Sequence, residues 1–211
     1  TGNLLSIVYP DVNSQTPQVT FTYNSRGQVE TLTDPTGIVT KWNWNSTTEV
    51  LDSAVIDYGT SPHLNLTTSF DYNSRGDVIG VTDARGNETT FETDVLRRVT
   101  KRFDPSPFGY ETQFSYTDNS LLASVKRETG DISNPWQIMS FAYTTTDKLD
   151  TVTDPSSNVR NFDYDSMDRL WKITDAASRV WEYGYDELSR IATIKDPATN
   201  ISDSRTYTDN G

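Results

Sequence analysis

Phe21-Thr-Tyr-Asn-Ser-Arg-Gly-Gln-Val-Glu-Thr-Leu-Thr-Asp34 and Phe70-Asp-Tyr-Asn-Ser-Arg-Gly-Asp-Val-Ile-Gly-Val-Thr-Asp83 are written in one frame. An aromatic residue precedes a tyrosine by two positions, an aliphatic residue follows it by six, and Thr-Asp closes the unit at eleven. The same frame fits Phe141 to Asp154, Phe162 to Asp175 and Tyr183 to Asp196. Self-similarity at a short fixed period marks a repeat architecture, in which one unit cannot bury its own apolar residues and must stack on its neighbours.

Numbering each unit from its tyrosine extends the frame along the chain. The tyrosines are Tyr23, Tyr72, Tyr116, Tyr143, Tyr164, Tyr185 and Tyr207, with Trp44 and Thr93 as substitutes, which makes about nine units of about 21 residues. Two positions earlier stand Phe21, Trp42, Phe70, Phe91, Phe114, Phe141, Phe162 and Tyr183. Six positions later stand Val29, Val50, Val78, Val99, Leu122, Leu149, Leu170 and Ile191. At eleven stand Asp34, Asp83, Asp104, Asp154, Asp175 and Asp196; the second unit reaches Asp57 two residues late, and Arg127 breaks the pattern in the fifth.

Each unit reads as strand, turn, strand, turn. Aromatics two apart share one face of a strand. Asn-Ser-Arg-Gly is a turn in which Gly27 and Gly76 are free to take positive φ. The turns that follow the Asp residues use the carboxylate to bond the backbone ahead of it. In the second strand the apolar offsets six and nine differ in parity, which calls for a bulge or for packing on both faces. No apolar stripe of period 3.6 and helical length appears. The expected fold is all-β: tandem hairpins joined into one continuous, twisted sheet over residues 1–211.

Composition agrees and excludes much else. Of 211 residues only 34% are hydrophobic, yet 11% are aromatic, so sparse large side chains must do the packing. The net charge of −12 opposes binding to nucleic acid and to anionic membranes. With no cysteine there is no disulfide, thiolate nucleophile or cysteine-based zinc site, and nothing is learned about redox compartment. The single histidine, His63, rules out His-cluster metal sites. No run approaches the length of an apolar membrane-spanning helix. The chain opens at Thr1 without a signal-like stretch, as a mature product or a fragment would.

The pattern aromatic-x-Tyr-Asn/Asp, clearest in Tyr164-Asp-Ser-Met-Asp-Arg-Leu170 running on to Ile173-Thr-Asp175, resembles the tyrosine–aspartate (YD) repeats of the Rhs family. Gly2-Asn-Leu-Leu-Ser-Ile-Val-Tyr-Pro-Asp11 resembles a variant of the second half-unit. The resemblance covers essentially the whole chain and implies a sheet of hairpins that spirals into a hollow shell. Family members include bacterial polymorphic toxins, shell components of insecticidal toxin complexes and animal teneurins. In the toxins the shell encloses a C-terminal toxic domain behind a glycine-rich cleavage region. This sequence lacks that region: Asp104-Pro-Ser-Pro-Phe-Gly109 is the nearest string, and it is the Asp turn of its own unit. Nine units are also few for a closed shell.

The resemblance therefore implies a non-catalytic scaffold or shell segment of a secreted or cell-surface bacterial protein, housing or displaying a toxin or other cargo. The alternative is an extracellular fibre or adhesion module built by end-to-end sheet continuation. Gly2 and Gly211 occupy the same position after the tyrosine, so further copies of the array at both ends would continue the frame, and open strand edges invite such pairing.

Other features are weaker pointers. Two insertions, residues 58–66 and 128–136, break the period and become surface loops, the places where arrays often bind. His63 sits in the first without a partner cluster. Trp171 and Trp181 replace mostly polar residues of other units and flank the Asp175 turn; they read as a cross-strand pair or as a glycan-stacking platform. Carboxylates are numerous, but turn chemistry accounts for the repeated ones, so neither a glycosidase pair nor a calcium site is singled out. Asn45, Asn65, Asn87 and Asn200 open Asn-x-Ser/Thr sequons. No catalytic residue, metal or cofactor is expected.

Overall fold

A computed structural model describes residues 2–11, 16–197 and 202–207. The described residues form eighteen β-strands and no helix. By internal contacts the chain divides into two compact units, Thr1–Glu111 and Thr112–Gly211.

The first unit carries β1 (Ser6–Val8), β2 (Gln18–Tyr23), β3 (Val29–Thr33), β4 (Val39–Trp44), β5 (Leu51–Ile56), β6 (Leu66–Tyr72), β7 (Val78–Thr82), β8 (Glu88–Thr93) and β9 (Val99–Phe103). Each pairs antiparallel with the next. The second unit carries β10 (Glu111–Tyr116), whose first residue ends the first unit, then β11 (Leu122–Glu128), β12 (Trp136–Tyr143), β13 (Leu149–Thr153), β14 (Val159–Tyr164), β15 (Leu170–Thr174), β16 (Val180–Tyr185), β17 (Ile191–Lys195) and β18 (Ser202–Ser204). These too pair in chain order. Each unit is thus an open antiparallel meander of repeated hairpins.

A β-bulge resolves the parity conflict. In β2–β3, Phe21 lies opposite Leu32 and Thr22 opposite Thr31, but Tyr23 lies opposite Val29, so Glu30 is the extra residue. The same shift falls just before the repeat tyrosine, or its substitute, in all eight hairpins from Tyr23 to Tyr185. The bulge brings offsets six and nine onto the aromatic face together. In the second unit of the repeat the turn after Trp44 holds one more residue, with Asn45 N–H bonded to the Val50 carbonyl at 2.9 Å. Leu51, not Val50, therefore lies opposite Trp44.

The two turns of each unit share one chemistry. Asn24 Oδ1 accepts from the N–H groups of Arg26 and Gln28, both at 3.0 Å. Asp175 Oδ1 accepts from Ala177 and Arg179 at 3.0 and 2.9 Å. The residue three after the capping Asx takes positive φ. Gly27 and Gly76 do so as the sequence suggests, but Ser157, Asp168, Ser178 and Ser189 do so as well, with φ of 61–66°. The capping hydrogen bonds hold these side-chain-bearing residues in a region they otherwise avoid.

Within each unit the sheet has two unlike faces. Among the described residues Val55 is the one buried apolar side chain, and the repeat aromatics and aliphatics are only half-buried. The opposite face is polar and built from complementary cross-strand pairs. Thr22 bonds Thr31 at 2.6 Å, Asn43 bonds Ser53 at 2.9 Å, Ser115 bonds Ser124 at 2.7 Å, and Lys172 meets Asp163 at 3.0 Å. In two such pairs one partner is glycine: a Cβ on Gly80 would lie 2.9 Å from Asp71 Oδ2, and one on Gly184 would meet Thr193 Oγ1.

Candidate functional site: the edge that links repeats

The repeat-defining residues meet at the edge of the sheet formed by the first turns. Tyr164 Oη donates to the Leu149 carbonyl at 2.9 Å, Tyr185 to Leu170 at 2.6 Å, Tyr143 to Leu122 at 2.8 Å and Tyr207 to Ile191 at 2.8 Å. Each tyrosine thus clasps the aliphatic residue that stands six after the tyrosine of the preceding repeat. Tyr72 reaches Leu51 at 2.8 Å, following the register shift, and Tyr23 reaches Leu4 at 2.7 Å. Trp44 makes the same link through its indole, Nε1 to the Val29 carbonyl at 2.7 Å. A strand-end carbonyl is one the ladder leaves free, and satisfying it from the next repeat converts a row of hairpins into a linked array. Burial raises the pKa of Tyr185 above its ordinary value, which keeps the hydroxyl protonated and a donor.

The residue five after the tyrosine braces the link from above. Lys148 lies 5.2 Å from the Tyr164 ring centroid, Arg169 4.4 Å from Tyr185 and Arg190 4.2 Å from Tyr207. Cations over aromatic faces are held by the ring quadrupole. Lys148 Nζ also bonds the Asp168 carbonyl at 2.9 Å, and Gln28 in the same position bonds the Glu49 carbonyl at 3.0 Å. Arg169 and Arg190 close back on the capping residues Asp165 and Asp186, with Nε–Oδ2 distances of 2.8 and 2.7 Å.

Thr93 is too short for the clasp, and a buried carboxylate fills the gap. Asp77 Oδ2 accepts from Thr93 Oγ1 at 3.0 Å, Asn73 Nδ2 at 2.9 Å and Arg75 Nε at 3.1 Å, while Arg97 Nε reaches Oδ1. These bonds, Asn73 and Arg97 foremost, hold the Asp77 carboxyl far below the usual carboxylate range. Nothing in the repeat pattern singles out Asp77; the absent tyrosine at position 93 is the signal that points to it.

The Asp residues eleven after the tyrosine sit at the opposite edge. Asp34, Asp83, Asp154 and Asp175 each cap their turn, and their pKa values are lowered: Asp34 by the Thr36 hydroxyl, Asp83 by Asn87, Asp154 by Asn158 and Asp175 by Arg179. Asp196 follows β17. Asp57 serves the loop 58–66, where its Oδ1 pairs with His63 Nδ1 at 2.6 Å and its Oδ2 accepts from Leu64 N–H at 2.8 Å. His63 is a loop brace, with its ring seated against Gly59. In the loop of 128–136, Thr129 N–H bonds the Pro135 carbonyl at 2.9 Å and Lys126 lies 4.3 Å over the Trp136 ring.

Trp171 is the bulge residue of β14–β15, 38% exposed, with Lys172 5.2 Å from its ring. Trp181 is half-buried and directly opposite Ile173 rather than Trp171, with Arg179 5.8 Å from its ring. Three sequon asparagines spend their amide groups internally: Asn45 Oδ1 caps its turn at Thr47, Asn65 Nδ2 bonds the Gly59 carbonyl, and Asn87 Nδ2 bonds Asp83. Asn200 and Gly211 lie outside the described residues. Among the described residues no group of three His, Cys, Asp or Glu could hold a metal ion, and no helix is long and apolar enough to cross a membrane.

The RHS repeat family model matches residues 169–201. No curated protein matches the chain. Among solved structures, a TcdB2-TccC3 crystal structure is similar over 90% of this chain and 12% of that one, at 12% identity and a TM-score of 0.59. TcdB2-TccC3 without its hypervariable C-terminal region is similar over 85% and 11%, at 11% identity and a TM-score of 0.57. The Photorhabdus luminescens Tc holotoxin pore is similar over 90% and 12%, at 12% identity and a TM-score of 0.54. At such identities the likeness is one of fold, and this chain spans only 11–12% of the length of those chains.

Proposed function

We propose that this chain, a segment of Rhs/YD-repeat type, is a structural wall element of a secreted or surface-exposed bacterial protein that houses or displays a cargo polypeptide. The observation that carries the reading is the division of labour in the sheet. Tyrosine hydroxyl hydrogen bonds and cation–ring contacts link repeat to repeat along an edge, whereas the aromatic face of the described residues is only half-buried. A sheet whose repeats are tied to their neighbours in this way resists being pulled apart and separates two sides, which is what a wall does. The carboxylates of the repeat are committed to turns, so the role is mechanical rather than catalytic. The fold likeness to chains of TcdB2-TccC3 and of the Photorhabdus luminescens Tc holotoxin pore supports a wall of this type in a bacterial protein.

Electron microscopy of the native protein, with the mass of the intact polypeptide, tests this. Hollow particles on a much longer chain, with cargo that resists protease until the wall is disrupted, are expected. Filaments that continue the sheet end to end would replace the wall by the fibre reading.

A further inference from the structure

The aromatic face differs between the two compact units at one equivalent row. In the first unit this row, opposite the aliphatic at offset nine and on the following strand, holds threonine at three places, Thr40 opposite Leu32, Thr68 opposite Ala54 and Thr89 opposite Val81, and valine at one, Val19 opposite Ile7. In the second unit the same row holds Met139 opposite Val125, Arg160 opposite Val152, Trp181 opposite Ile173 and Asp203 opposite Ile194. Strand stability does not ask for this change, since threonine serves the row elsewhere.

Beside that row a groove of about 590 Å³ opens between the turns at Asp154 and Asp175. Met139, Val152 and Phe162 give it an apolar surface, and Arg160 and Arg179 stand over it. Met139 is 39% exposed, so its side chain is available at the groove surface. The two carboxylates of the rim are spent. Asp154 accepts two backbone N–H groups and Asn158 Nδ2, and Asp175 accepts two backbone N–H groups and the Arg179 guanidinium. Arg160 has no carboxylate partner among the described residues, although most cations of this chain are paired. The unspent polar capacity of the groove is therefore that of a guanidinium, a fork of N–H donors matched to a carboxylate.

We propose that this groove docks an extended segment of another polypeptide, with an aliphatic or aromatic side chain on Met139, Val152 and Phe162 and a neighbouring carboxylate on Arg160. The groove spans β12 to β14 and the turn beyond, strands roughly 4.8 Å apart, so it crosses on the order of 10–15 Å. Three or four extended residues at roughly 3.3 Å each cover that distance, and a single amino acid does not. The assignment is independent of the wall reading, because it concerns the local chemistry of the second unit whatever the array encloses.

The test uses the 211-residue protein and a fluorescein-labelled peptide, Gly-Leu-Phe-Asp-Leu-amide, with its Asp-to-Lys counterpart. Anisotropy titration should show the acidic peptide binding at least tenfold more tightly than the basic one, and the preference should weaken with salt. Arg160→Thr and Met139→Thr, which install the residue type the first unit carries at three places in this row, should each lower affinity for the acidic peptide at least tenfold. Arg85→Thr, on a turn of the first unit, should leave it unchanged. Circular dichroism checks that the variants fold; if they do not, the comparison of the two peptides on the unaltered protein still decides. Equal binding of both peptides, no binding at millimolar peptide, or unchanged binding by Arg160→Thr would overturn the proposal. Self-association of the protein that Arg160→Thr abolishes would also overturn it, by giving the groove to a second copy of the chain.

Discussion

Trp44 Nε1 donates to the Val29 carbonyl at 2.7 Å, the link that Tyr164 makes to Leu149 at 2.9 Å. Two different side chains converge on one task because the acceptor is fixed by register and only an aromatic body with a polar tip reaches it. Tyr164→Phe keeps the ring and removes the donor, so it should cost about 0.5–1.5 kcal/mol. Trp44→Phe should cost more, because the shorter ring also leaves space. Since a repeat array unfolds by segments, native-state amide exchange is the right readout. Loss of protection should centre on β13–β14 for Tyr164→Phe and on β3–β4 for Trp44→Phe. Uniform loss across the chain would contradict the local clasp.

The Asp77 cluster stands where Thr93 replaces the tyrosine of the clasp. Thr93→Tyr alone should destabilise the first unit, because the ring would enter the space of Asp77 and Arg97. Adding Asp77→Gln removes the buried charge and supplies the residue type that Gln28 provides beside Trp44. The double variant should therefore be more stable than Thr93→Tyr alone, and a thermodynamic cycle of the four proteins measures the coupling. Additive effects would show that the two sites do not share space.

Ser157 and Ser178 hold φ of 64° and 61° behind a β-carbon. Ser157→Gly and Ser178→Gly should each stabilise the second unit by up to about 1 kcal/mol by removing the left-handed penalty. Gly27→Ala should have the opposite sign. Urea denaturation of the three variants provides the check.

The capping carboxylates predict how the fold responds to acid. Asp165, Asp175 and Asp186 are held below their ordinary pKa, Asp175 by the Arg179 side chain and the other two by the backbone N–H groups of Arg169 and Arg190. A carboxyl whose folded pKa is depressed binds its proton more readily in the unfolded chain. Its contribution is complete above the unfolded pKa of about 4 and is lost as pH falls through the folded value. Stability should be flat from pH 8 to about 5 and should fall below about pH 4. Asp175→Asn keeps the cap but not the charge, so it should lower stability at pH 7 and flatten the acid limb.

On the polar face Gly184 and Thr193 share one site, and a Cβ on Gly184 would meet Thr193 Oγ1. Gly184→Ala should be better tolerated when combined with Thr193→Ala than alone, with a coupling on the order of 1 kcal/mol in a double-mutant cycle. No coupling would mean that rotation of Thr193 relieves the contact without cost.

The hairpins, their order, the positions of both turns and the parity conflict in the second strand were all legible in the sequence. Each depends on residues close together in the chain: the two-residue spacing of Phe21 and Tyr23, the capping reach of Asp34 or Asp175, the conflicting parity of Val29 and Leu32. Such local preferences repeat faithfully because every unit meets the same steric rules. What lay beyond the sequence was the identity of partners across strands. The acceptor of the Tyr164 hydroxyl belongs to another repeat and is chosen by register. One extra turn residue after Trp44 moves that role from Val50 to Leu51. The seating of Asp77 beside Thr93, the use of His63 to brace Asp57, and the gathering of Met139, Val152, Phe162 and Arg160 around one groove are likewise decided by which strand lies next to which. Period-two alternation assigns a side chain to a face, but only the folded sheet decides what it meets there.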